Sequence, residues 1–302
     1  MAPRPLDLAG VLIPTTTPFD PVTGDLDVVA LRANVRRYME EPVLGVVIGG
    51  STGEAVLLDR TERTRALEAI REVVPEDRLL VAGTGAESTR QTLALTRDAA
   101  ERGADAVLVQ PPAFYRGAMR SDVLVRHYRA VADGSPVPVI LYQVPLRFST
   151  LELEAGVVGE LSRHPNIVGI KDSRGDLDRL AAYLERAQDG FQVLVGSGSA
   201  LYPSLELGAV GGILGVANVV PGWTGRLHAA FQAGDHPEAG RLQEAVTPLH
   251  NEIVGGLGVP GVKYALDLLG LQGGDPRAPL APLDEKGRGR VEGVLRGAAL
   301  VE

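Results

Sequence analysis

Eight short apolar runs rich in β-forming residues recur along the chain, at positions 10–14, 44–49, 79–82, 106–110, 137–142, 167–171, 192–195 and 211–215. Longer segments separate them, at 27–40, 61–74, 89–103, 121–133, 151–163 and 177–188, with apolar residues at the i, i+3, i+4 spacing of an amphipathic helix. Alternation of this kind implies parallel strands joined by helical crossovers. Eight units favour closure into a barrel, which removes both sheet edges and lets each helix cover the outside. The expected fold class is α/β, a (β/α)8 TIM barrel; a doubly wound open sheet is the competing arrangement. Local signals agree, since Asp59 and Glu62 have capping-box spacing and Gly103 and Gly190 stand where helices should stop.

After residue 232 the strand signals cease, and 236–249, 262–269 and 286–295 read as helices between Gly/Pro-rich connections. The expected division is a barrel over 1–233 carrying the active site and a C-terminal helical extension over 234–302. A chain of 302 residues, 45% hydrophobic, can bury a core of that size. Its formal charge of −8, with Arg scattered along helices, leaves no basic footprint for nucleic acid or an anionic membrane. With no cysteine, disulfides and Cys-based metal, redox or nucleophile sites are excluded. Residues 1–12 do not read as a leader, and no run approaches the roughly 20 apolar residues of a membrane span, so a cytoplasmic protein is expected. The five His residues, 127, 164, 228, 236 and 250, lack HExxH-like spacing and accompanying carboxylates, so no metal is expected. Gly83-Thr84-Gly85 and Gly196-Ser197-Gly198 lack the dinucleotide-binding GxGxxG spacing, and no cofactor is expected.

Of 30 basic residues only three are lysine: Lys171, Lys263 and Lys286. A position that keeps Lys where Arg does the ordinary solvating work raises the question of what Arg could not do there, and deprotonation to a nucleophilic amine is one answer. Lys286 lies in a polar segment and reads as solvated. Lys263 follows Pro260-Gly261 at a helix start and reads as structural or near an interface. Lys171 ends the run Ile167-Val168-Gly169-Ile170-Lys171, whose alternation puts Ile167, Gly169 and Lys171 on one face. The C-terminal ends of barrel strands are where catalytic groups of this architecture sit. Burial there disfavours an ammonium, and a neutral amine can attack a ketone to form an iminium, an electron sink. The competing reading is a Lys paired with a carboxylate, with Asp172 directly following.

Gly49-Gly50-Ser51-Thr52-Gly53-Glu54 follows the second strand, at the same mouth. Its small residues free backbone N–H groups for an anion and its two hydroxyls add donors, which suits a carboxylate; a tight loop with capping hydroxyls is the plainer reading. Tyr142, in Tyr142-Gln143-Val144-Pro145, ends the fifth strand, where a phenol can shuttle protons or simply pack.

Together, Gly50-Ser51-Thr52-Gly53-Glu54, Tyr142-Gln143-Val144-Pro145 and Gly169-Ile170-Lys171-Asp172-Ser173 resemble the dihydrodipicolinate synthase / N-acetylneuraminate lyase family over nearly the whole chain. The resemblance implies a Schiff base at Lys171, proton transfer by Tyr142, carboxylate binding by Ser51 and Thr52, and a site-lining backbone carbonyl at Ile213. Segments from Phe114-Tyr115-Arg116-Gly117 to Arg277-Ala278-Pro279-Leu280 look most like the 4-hydroxy-2-oxoglutarate aldolases, which release pyruvate and glyoxylate. Arg147, five residues after Tyr142, instead resembles the synthases, where an Arg holds a carboxylate of the second substrate. The family places a neighbour-subunit Tyr two residues after a Pro; counting from Pro112 puts Phe114 there, with Tyr115 adjacent. A homo-oligomer, a tetramer, is implied, with a small-molecule 2-oxo acid as partner. A barrel that binds 2-oxo acids without turning them over is the remaining alternative.

Overall fold

The computed structural model describes residues 6–302; of the opening segment read for a leader and of the barrel's expected range, positions 1–5 lie outside the described residues. Strands β1 (Val11–Pro14), β2 (Gly45–Ile48), β3 (Leu79–Gly83), β4 (Ala106–Val109), β5 (Val139–Gln143), β6 (Ile167–Asp172), β7 (Gln192–Val195) and β8 (Gly211–Ile213) pair in sequence order. All pairs are parallel, and β1 bonds to both β2 and β8, so the sheet closes and the open alternative falls. The crossovers are α1 (Val28–Met39), α2 (Arg60–Arg71), α3 (Thr89–Glu101), α4 (Ser121–Gly134), α5 (Ala155–Leu161), α6 (Leu177–Arg186), α7 (Leu201–Leu207) and α8 (Pro221–Gln232). The capping box of Asp59 and Glu62 is formed, and Gly103 and Gly190 take positive φ, as their positions predicted.

Alternation along each strand produces two cores. Leu12, Val47, Val81, Leu108, Ile140, Leu194 and Ile213 fill the barrel interior, with Leu8 below them. Val46, Leu80, Val107, Leu141, Ile170 and Val193 face outward and pack under the helices. Strands β1 to β5 and β7 are therefore apolar on both sides, which is why their runs are nearly continuous in sequence.

Three elements differ from expectation. Ile167 does not share a face with Gly169 and Lys171: Val139 pairs with Ile167 and the next residue, Ile140, pairs with Gly169. The extra residue, Val168, is a bulge that turns Ile167 into the outer core while Gly169 and Lys171 keep the inner register. The helix expected over 151–163 shrinks to α5, because Gln143, buried at the end of β5, captures the chain before it. Gln143 Nε2 donates to Leu151 O at 3.1 Å and Leu153 N donates to Gln143 Oε1 at 2.6 Å, holding residues 151–153 extended. In the extension, α9 (His236–Leu249) runs into a π-helical turn (His250–Leu257) and then α10 (Gly258–Leu268), with α11 (Glu285–Gly297) last. Pro248 has no N–H to give the preceding turn, and the ladder widens just beyond it. α10 starts four residues before the expected 262, since Pro260 falls in a first turn that needs no N–H from it.

His127, on α4, is 6% exposed; its Nδ1 lies 2.8 Å from Thr89 Oγ1 and its Nε2 has no partner. Burial lowers its pKa to about 4. The folded state therefore holds His127 neutral while an unfolded chain would protonate it near pH 6.5. Stability from this site is complete above that pH and is lost as pH falls toward 4, by on the order of 3 kcal/mol. Thermal unfolding between pH 7 and 4 should show a downward slope that His127→Asn makes shallower; an unchanged slope would reassign the acid sensitivity elsewhere.

Candidate active site

A cavity of about 270 Å³ opens at the C-terminal ends of the strands. It gathers Ser51 and Thr52 from the loop after β2, Tyr142 from β5, Lys171 from β6 and Ile213 from β8. Arg147, from the loop after β5, is brought to the same wall. Register makes this inevitable for the central pair: Tyr142 is the direct cross-strand partner of Lys171. Lys171 Nζ lies 4.4 Å from the centroid of the Tyr142 ring.

Lys171 is 6% exposed and forms no ion pair among the described residues. Asp172 does not serve it. The strand continues through Asp172, turning its carboxylate to the opposite face, where it accepts from Arg174 N at 3.1 Å. Burial raises the Asp172 pKa to about 6, against the pull of the Arg174 amide and the Arg179 and Arg174 charges. Burial would likewise raise the phenol of Tyr142, but the Lys171 charge and the hydroxyls of Ser51 and Ser173 outweigh it and hold the pKa below the ordinary tyrosine value. Ser51 Oγ stands 3.4 Å from the phenol oxygen.

The loop carrying Ser51 and Thr52 is a tight turn. The amides of Gly53 and Ala55 bond to Gly50 O and that of Glu54 to Ser51 O, whereas no hydrogen bond among the described residues takes the amides of Ser51 and Thr52. Glu54 holds the loop from below at φ 56° in the left-handed region. Its carboxylate is fully buried against Lys263 Nζ, 2.9 Å from Oε1, and accepts from Arg277 N at 2.8 Å. Lys263 Nζ also donates to Thr17 O at 2.9 Å and Asp275 O at 2.8 Å. Lys263 is thus structural, one of the two readings its position allowed, and its three N–H donors are all engaged.

Arg147 reaches the extension: its Nη1 donates to Val254 O at 2.7 Å and Gly255 O at 2.9 Å, both in the π-helical turn. Ser173, Arg174, Ser197, His250 and the turn residues Val254 and Gly255 also line the cavity; none had a role assigned from sequence, although Ser173 lies in the Lys171 motif and Ser197 in the Gly196-Ser197-Gly198 loop read as bordering the mouth. For Arg174, His250, Val254 and Gly255 no motif pointed to the site, and spacing alone could not assemble groups from three separated segments. Among the described residues, the lining includes Lys171, Arg147 and Arg174 and no Asp or Glu. Phe114 and Tyr115 are not brought to Lys171 within this chain. They are 79% and 73% exposed, stacked edge to face at 5.1 Å, on a loop pinned by Glu87 to the amides of Ala113 and Phe114. The described residues contain no group of three or more His, Cys, Asp or Glu placed to hold a metal, and no helix long and apolar enough to cross a membrane.

A closed barrel whose mouth presents a buried lysine, without an ion pair among the described residues, beside a phenol has the groups that a carbon–carbon lyase of the class I aldolase type uses. The profile of the Dihydrodipicolinate synthetase family matches residues 7–298. A probable mitochondrial 4-hydroxy-2-oxoglutarate aldolase of Emericella nidulans is 37% identical over 291 residues, 95% of this chain and 93% of that protein. A 4-hydroxy-tetrahydrodipicolinate synthase of Methanoculleus marisnigri is 36% identical over 278 residues, 91% of this chain and 94% of that one. The crystal structure of the chloride-inhibited dihydrodipicolinate synthase of Acinetobacter baumannii, complexed with pyruvate, superposes with a TM-score of 0.92 at 32% identity, covering 98% of this chain and all of the other. The chain belongs to the Dihydrodipicolinate synthetase family.

Proposed function

We propose that this enzyme cleaves 4-hydroxy-2-oxoglutarate to pyruvate and glyoxylate through a Schiff base on Lys171. The observation that carries the reading is the charge of the cavity: the guanidiniums of Arg147 and Arg174 line it and, among the described residues, no carboxylate does. That wall suits a dianion. Aspartate semialdehyde, the second substrate of the synthase reaction, brings an ammonium that only neutral acceptors would meet.

The Lys171 amine adds to the C2 ketone, and loss of water from the carbinolamine gives the iminium. Ser51 and Thr52, with their unspent amides, hold the C1 carboxylate. Removal of the C4 hydroxyl proton lets the C3–C4 bond break; its electron pair passes into the iminium, giving an enamine, and C4 leaves as the glyoxylate carbonyl. Protonation at C3 and addition of water then release pyruvate and restore the amine. Tyr142, whose phenol is held below its ordinary pKa beside Lys171, moves these protons. Tyr142→Phe is expected to slow turnover roughly 10²–10⁴-fold with pyruvate adduct formation still detectable; an unchanged kcat would reduce Tyr142 to packing.

A second reading, condensation of pyruvate with aspartate semialdehyde, is favoured by Arg147 and by the synthase names of several relatives. The two are separated by measuring kcat/KM for both reactions on one preparation. We expect cleavage of 4-hydroxy-2-oxoglutarate to exceed condensation; efficient condensation without cleavage would overturn the aldolase reading. We further infer a homo-oligomer, a tetramer, with Phe114 and Tyr115 at a subunit contact, since two adjacent exposed aromatics supply the anchor area that interfaces use.

A further inference from the structure

The wall of the cavity carries a hydrogen-bonded pair that the mechanism above does not use. Ser197 lies in the loop after β7, and His250 is the first residue of the π-helical turn. Gly198 N donates to His250 Nδ1 at 3.2 Å, which fixes the lone pair there and the ring proton on Nε2. Nε2 stands 3.1 Å from Ser197 Oγ and donates to it. The arrangement is built in: a Cβ on residue 198 would fall 2.5 Å from Val216 Cγ1 and 3.2 Å from His250 Nδ1, so the ring seats against the amide only because that residue is Gly. Burial and the nearby Arg147 charge keep the imidazole neutral, with a pKa of about 4.

With His250 giving its proton to Ser197 Oγ, the hydroxyl hydrogen of Ser197 is left to donate, either to Ser199 Oγ at 2.9 Å or to a ligand oxygen in the cavity. β6 pairs with β5 on one side and β7 on the other, so Ser197 flanks Lys171 across from Tyr142. The same π-helical turn that starts with His250 binds Arg147 through Val254 O and Gly255 O. One turn of the extension therefore holds both a guanidinium and a neutral hydroxyl donor at the wall of the cavity.

We propose that, beside the carboxylate role the family resemblance already implies for Arg147, Ser197 is a specificity-determining donor to the second carboxylate and His250, from the π-helical turn, is the positioning residue that orients Ser197. The cavity then selects 2-oxo dicarboxylates over monocarboxylates such as pyruvate. This rests on the reading of Lys171 as the Schiff-base lysine, and it deepens the assignment of a dianionic substrate.

The test uses binding rather than cleavage. Concentration dependence of borohydride-trapped adducts is measured for pyruvate and for 2-oxoglutarate, which has the chain length of the proposed substrate but lacks its hydroxyl. Ser197→Ala and His250→Leu should raise half-saturating 2-oxoglutarate roughly 10- to 100-fold, the range for a hydrogen bond to a charged group, and leave pyruvate within about twofold. His250→Gln, which keeps a donor where Nε2 stood, should stay near wild type. Equal weakening of both ligands, or no change for either in Ser197→Ala, overturns the proposal, as does a His250→Gln variant that behaves like His250→Leu. If these binding shifts are seen but 4-hydroxy-2-oxoglutarate is not cleaved, the roles of Ser197 and His250 stand and the aldolase reading alone falls.

Discussion

Lys171→Arg and Lys171→Met are expected to lower kcat on the order of 10⁴-fold or more, the Met variant with little loss of thermal stability. A guanidinium cannot deprotonate and a thioether cannot form an iminium, so both remove the covalent step while filling similar space. The stability half of the prediction follows from what Lys171 does not do: among the described residues it forms no ion pair, and its neighbours include the Tyr142 ring and the open cavity. Replacing the amine by the Met thioether leaves no carboxylate without its partner, because none faces Lys171. Substantial residual turnover in Lys171→Arg, read in a pyruvate-release assay, would place the chemistry elsewhere.

Lys263→Met is expected to do the reverse, destabilising the fold by about 3–5 kcal/mol, the cost of leaving a buried carboxylate unpaired. Its Nζ satisfies Glu54, Thr17 O and Asp275 O at once, with 0% exposure on both sides of the ion pair. For a chain of this size the loss should lower Tm by on the order of 10 °C. Replacing both partners, Glu54→Leu with Lys263→Met, should recover part of it, because the orphaned charge is gone. Activity should fall too in the single variant, since Glu54 carries the loop of Ser51 and Thr52. A single variant as stable as the parent would show that the pair is not holding that loop.

The two lysines also mark how far the sequence could be read. Their rarity singled out both, and strand register placed Lys171 at the mouth next to Tyr142, because a period of two and a closed parallel sheet leave little choice of partner. The role of Lys263 was not readable to the same depth, since its carboxylate partner lies 209 residues away in the chain. Contacts of that kind escape periodicity, as do Ser197 with His250 and Arg147 with the π-helical turn. The bulge at Val168 escaped for another reason: Ile167 and Val168 are both apolar and fit either face. Gln143 shows a third limit, where a single buried amide captured the backbone of residues 151–153 and overrode a helical pattern.

The central claim, covalent chemistry at Lys171, is tested most directly by incubating the protein with pyruvate and borohydride and mapping the modified peptide by mass spectrometry. The account predicts one reduced pyruvyl group, on Lys171, with activity lost in proportion to labelling and no label in Lys171→Arg. Label on Lys263 or Lys286 with Lys171 unmodified, or full activity after complete labelling, would contradict it.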